Sequence, residues 1–123
     1  MKTNIPIKLK LPRAIKYDGI TYEKVLIMYY GAIPGAPLAV ILLSSSELES
    51  EDLFVTSYTK VVANELTAII NVGNPKVAGV LPFLTNRGVI GNLVDPAVGG
   101  DVTKKKYNLG SGITNVILRQ KAE

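Results

Sequence analysis

The pair Asp18-Gly19, set between Ile15-Lys16-Tyr17 and Ile20-Thr21-Tyr22, restricts this chain more than any other feature. A two-residue loop of this kind needs positive φ, which Asp-Gly tolerates, and its twist matches that of two antiparallel strands. The chain is therefore expected to double back as a hairpin at residue 18. Upstream, Ile5, Ile7, Leu9 and Leu11 alternate with Pro6, Lys8 and Lys10. That period of two gives a strand with one apolar and one basic face. Pro6 and Pro12 cannot donate to a ladder, so residues 1–12 are expected at a sheet margin, as an edge strand or an N-terminal arm for a neighbour. The second hairpin strand should run on through Lys24 to Tyr30.

Gly31 to Pro37 reads as a loop by its Gly and Pro content. Leu38 to Leu43 is apolar on both faces and reads as a buried strand. Ser44 to Asp52 is a polar, acidic loop or short turn. Residues 53–72 carry two patterns. Phe54, Tyr58, Val61, Val62, Leu66, Ile69 and Ile70 fit a helical stripe, but β-branched residues crowd the segment. Two strands, Leu53–Val62 and Leu66–Val72, are favoured over one helix.

Asn74-Pro75 is a good helix start, with Asn as cap and Pro at the first helical position. Val77, Val80, Leu81 and Leu84 follow as an apolar stripe, and Gly88 is a fitting stop. A short helix over Pro75 to Arg87 is expected, kinked or ended early by Pro82. Gly88 to Pro96 reads as a short strand and turn. Ala97 to Lys106 reads as an exposed loop holding a lysine triplet. Lys105–Leu109 and Ile113–Arg119, parted by Gly110-Ser111-Gly112, read as a closing hairpin or a bulged strand. No repeat or linker interrupts the sequence. The whole predicts one β-rich α+β domain over residues 1–123, with small antiparallel sheets or a sandwich- or barrel-like arrangement and one short helix around 75–87.

Composition narrows the chemistry. The 123 residues include neither cysteine nor histidine. Disulfides, thiolate metal sites and the commonest general base are therefore excluded. Ser44-Ser45-Ser46 has no base nearby to activate a nucleophile. Glu47, Glu49, Glu51 and Asp52 lack a calcium-loop pattern. Gly31-x-x-x-Gly35 and Gly88-x-x-Gly91 lack the lysine and spacing of a phosphate loop. No cofactor, no metal and no enzymatic activity are expected. The first residues lack the apolar core of a signal peptide, and the longest apolar run, Ala36 to Leu43, is too short to cross a membrane. A virion or cytoplasmic location and no membrane partner are expected.

Only 20% of the residues are charged against 47% hydrophobic. That balance favours a surface partly covered by a partner. Charge is also uneven: residues 1–24 carry six Lys and Arg against two acids, and Glu47 to Asp52 carries four acids and no base. A self-associating structural protein is the leading expectation, with a bacteriophage coat, decoration or head–tail protein the class that fits best. Ile5, Ile7, Tyr29 and Tyr30 are its candidate interface residues, because edge strands and tyrosines serve contacts. The alternative is a small module binding nucleic acid or an anionic ligand. Lys8, Lys10 and Arg13, with Lys104, Lys105, Lys106 and Tyr107, would supply phosphate contacts and one stacking ring.

Overall fold

The computed structural model describes residues 6–30, 38–45, 52–56 and 67–121, with side chains through residue 116. The expected β-rich α+β fold is present. Strands β1 (Ile7–Tyr17), β2 (Ile20–Tyr29), β3 (Leu38–Ser44) and β4 (Leu53–Phe54) form an antiparallel sheet in the order β1-β2-β3-β4. Strands β5 (Thr67–Asn71), β6 (Ile90–Asp95) and β7 (Lys104–Leu109) form a second antiparallel sheet in the order β5-β7-β6. Helix α1 (Pro75–Asn86) precedes β6, and helix α2 (Ser111–Lys121) follows β7.

The hairpin forms where expected. Asp18 and Gly19 have φ of 53° and 78°, the positive pair that a twisted two-residue turn requires. β1 is the sheet edge, and it runs longer than the alternation alone indicates. It passes Pro12 through a register irregularity between Lys10 and Ile15. Pro12 cannot donate a ladder bond, so a bulge at an edge is where a strand can hold it. Alternation sorts the faces: Ile7, Leu11, Ile15, Val25, Ile27, Val40 and Leu42 are buried inward, while Lys8, Lys10 and Lys16 are exposed on the other side.

The two sheets are joined at one seam. Past β4, the Val55 amide donates to the Val40 carbonyl (2.9 Å), and the Asn71 amide donates to the Val55 carbonyl (3.1 Å). Thr56 makes an isolated antiparallel bridge with Ile70. The strands thus follow one another as β1-β2-β3-β4, then across Val55-Thr56 to β5-β7-β6. α1 packs against β1, β5 and β6, so it spans the gap between the two ends of this strand order. Its Val77, Val80 and Leu84 are fully buried in the common core.

α1 starts as read from the sequence: the Asn74 side chain accepts from the Lys76 amide at 3.0 Å, and Pro75 opens the helix. It does not end early at Pro82, which stays exposed and lets the helix run to Asn86. Midway, Gly79 faces the Tyr17 ring so closely that a Cβ would strike it. Alanine normally gains about 1 kcal/mol over glycine within a helix. Gly79→Ala is therefore expected to destabilise the wild type by about 1 kcal/mol, yet to stabilise a Tyr17→Ala background by a similar amount. Urea melts of the four proteins of this cycle check the sign reversal.

Two expectations need correction. Residues 113–119 form no strand; they belong to α2. The Gly110 carbonyl accepts from the Ile113 and Thr114 amides, which starts a helix where a hairpin turn was expected. Ile113 is buried in the core, and its spacing to Val116 and Ile117 is helical. The β-branched content hid that period. Nor do Lys104–Lys106 lie in an exposed loop. They open β7, the middle strand of its sheet, and are half-buried. The exposed positions of the connection into β7 include Gly99, Gly100, Val102 and Thr103, and Gly99 and Gly100 take positive φ. The expected strands over 53–72 correspond to β4 and β5; residues 57–66 lie outside the described residues, as do the 31–37 loop and the acidic stretch 46–51.

Candidate interaction surfaces

The two sheet margins are built differently. β1 is covered with basic and proline residues: Lys8, Lys10, Pro12 and Arg13 are all exposed. Its bulge is also engaged from outside the sheet. Arg87, the residue that ends α1, donates from Nε to the Arg13 carbonyl (3.3 Å) and from a terminal nitrogen to the Ala14 carbonyl (3.2 Å). The Arg13 guanidinium in turn donates to the Asn86 side chain at 2.9 Å. Two cations thus meet the negative end of the α1 dipole, which favours both. Arg87 also lies 5.4 Å from the Phe83 ring, in cation–π geometry. Charge, proline and a bulge are the devices by which an edge strand resists indiscriminate pairing.

β6, the opposite margin, has no basic residue and no proline within it. It exposes Leu93 and Val94, 48% and 50% accessible. Two adjacent apolar side chains are therefore open to solvent on this edge. Its pairing to β7 shifts register twice, between Ile90 and Leu93 and between Leu93 and Asp95. At the first shift Gly91 lies over the Leu109 carbonyl.

The remaining candidates fall into separate places. Ile7 and Tyr29 are buried within the core, so a partner would not reach their side chains. Ile5 lies outside the described residues. Tyr30 sits at the seam: its hydroxyl donates to Thr56 Oγ1 (2.8 Å), which also accepts from the Val40 amide (3.1 Å). Burial raises the Tyr30 pKa, while the bond to Thr56 works to lower it. The Tyr30 ring packs against Phe54, with centroids 5.7 Å apart.

The lysine triplet does not act as one patch. Alternation along β7 puts Lys105 on one face and Lys104 and Lys106 on the other. Lys105 Nζ is taken by the Pro96 carbonyl at 2.8 Å. β1 and β7 belong to different sheets, and no ladder joins them among the described residues. β1 and β7 are not among the element pairs that pack closely on one another, so Lys8 and Lys10 share no strand pair with Lys104–Tyr107. Asp101 is held below the usual carboxylate range by the Thr103 hydroxyl and amide, an ordinary turn arrangement. Among the described residues no cluster of carboxylates could hold a metal, and no helix is long and apolar enough to cross a membrane.

Comparison with family models, curated proteins and solved structures finds no match. The surfaces themselves must carry the functional reading. Sequence reasoning placed a short strand within Gly88 to Pro96, where β6 lies, but not its position at a sheet margin, and it missed Arg87 because its role depends on a bulge some 70 residues away (separations of 73 and 74).

Proposed function

We propose that this chain is a non-enzymatic structural subunit that associates with further copies of itself, in the manner of the coat, decoration and head–tail proteins of bacteriophage particles. The observation that carries the reading is the contrast between the two margins. One edge strand has Lys8, Lys10, Pro12 and the Arg87 contacts; the other, β6, offers Leu93 and Val94 to solvent with none of these. β6 has register irregularities as β1 does, but neither its lysines nor its proline, and an edge with exposed apolar side chains is a template for another strand. The same strand from a second copy, related by a two-fold axis, is a self-complementary partner and closes the contact. The lack of histidine and cysteine supports a role without catalysis.

Size-exclusion chromatography with light scattering tests this. The expected mass is a multiple of 13.2 kDa. It should be unchanged between about 50 and 200 mM salt, a range over which a phosphate-bridged assembly would weaken strongly. Leu93→Lys with Val94→Lys, which gives β6 the guard that β1 has, should yield a folded monomer. A wild type that remains monomeric at high protein concentration contradicts the proposal.

A further inference from the structure

The outer face of the four-stranded sheet carries a pattern that self-association through β6 does not use. The register aligns Lys8 with Leu26, Leu26 with Ile41, and Ile41 with Phe54. One transverse row therefore begins with an exposed cation and ends with an exposed aromatic ring, 46% accessible. Three strand spacings separate them, about 14 Å. Leu26 and Ile41 between them are half-buried and form a low apolar floor.

The next row is stranger. Lys10 lies directly opposite Lys24, and both are exposed. Like charges placed directly opposite on an antiparallel pair, with Cβ atoms about 5 Å apart, destabilise the sheet. Lys8 adds a third ammonium about 6.7 Å along the same face. No hydrogen bond or ion pair to another described residue engages any of the three. Three cations that have no partner among the described residues are relieved by a bound polyanion. At the other end of the face, the Phe54 ring is backed by Tyr30 and turns its remaining surface to solvent.

We infer that this face binds single-stranded nucleic acid, with Lys8, Lys10 and Lys24 on phosphates and a base stacked on Phe54. A groove of cations beside an aromatic platform is what an unpaired strand requires, since its bases have free faces to stack. A duplex hides those faces. A lipid surface would bury an apolar side chain at residue 54 but has no need of a flat one, so Phe54→Leu separates it from a stacked base. The inference does not rest on self-association, because β6 lies in the other sheet.

The test is fluorescence anisotropy with a labelled thymidine oligonucleotide of about a dozen nucleotides, within the range of one such site. Lys8→Gln, Lys10→Gln and Lys24→Gln together should reduce the slope of log affinity against log salt by about 2, at about 0.7 per phosphate contact. Phe54→Ala should weaken binding about tenfold and leave that slope unchanged, the loss expected for one stacked base. Phe54→Tyr should retain affinity. Phe54→Leu keeps apolar volume without a flat ring and should behave as Phe54→Ala, which separates stacking from a folding defect. No binding at the lowest salt overturns the inference. So does binding that Phe54→Ala and Phe54→Leu leave unchanged, or equal binding to duplex DNA or to vesicles rich in anionic lipid.

Discussion

Gly110→Ala should destabilise the protein by about 3 kcal/mol, at the upper end of what overpacking costs. A Cβ at residue 110 would fall on the Gly88 carbonyl and against the Val89 backbone. Both obstacles are main chain, so no side chain can swing aside to make room. The surrounding bonds leave little slack: the Gly110 amide donates to the Val89 carbonyl (2.8 Å), and the Gly112 amide donates to the Gly88 carbonyl (3.1 Å). This knot holds the end of α1, the start of β6 and the start of α2 together. Gly99→Ala is the control. It has open space around it, and although its φ of 62° is strained for alanine, nothing must move. Urea unfolding should show a much lower midpoint for Gly110→Ala at an unchanged slope. A midpoint no lower than that of Gly99→Ala would refute the close approach.

Thr56→Val should cost about 2 kcal/mol although its shape is nearly the same. The hydroxyl it removes accepts from both the Val40 amide and the Tyr30 hydroxyl. Thr56 is 5% accessible, so water cannot replace it at Val40. Thr56→Ser keeps the oxygen and should recover most of the loss. A cycle with Tyr30→Phe should show coupling of about 1 kcal/mol, as expected for two residues sharing a bond. The seam also has a pH signature. Burial raises the Tyr30 pKa above its ordinary 10.0. The folded state then holds the phenolic proton longer than the unfolded one. The neutral form's contribution is fully present below pH 10 and is lost as pH climbs toward the folded value. Tyr30→Phe should flatten the stability curve on that alkaline side. A curve unchanged by the substitution would contradict the burial of this hydroxyl.

Much of the fold was legible wherever local chemistry and tertiary packing agree. The Asp18-Gly19 turn, the alternation before it and the Asn74-Pro75 cap all report their own backbone, so neighbours had nothing to overrule. α2 was not legible, because Ile113, Thr114, Val116 and Ile117 prefer strands in isolation. The Gly110 turn and the burial of Ile113 decide the matter, and both depend on residues 88 and 89. The lysine triplet misled for a related reason. Three charges read as a loop, but lysine stems can lie along a central strand while their heads reach its rim, as Lys105 does at Pro96. Lys8 and Lys10 were visible as a basic face. Their alignment with Lys24 and Phe54 was not, because register across four strands is not written in any one of them. The β6 margin was likewise hidden, since an edge is a property of the sheet and not of the segment.

Amide hydrogen exchange along β6, followed at several protein concentrations, puts the assembly reading to its hardest trial. If copies join through this strand, the outward-pointing amides around Leu93 and Val94 slow markedly as concentration rises, while those of β1 do not. Exchange at β6 that is fast and indifferent to concentration would mean that nothing pairs with it.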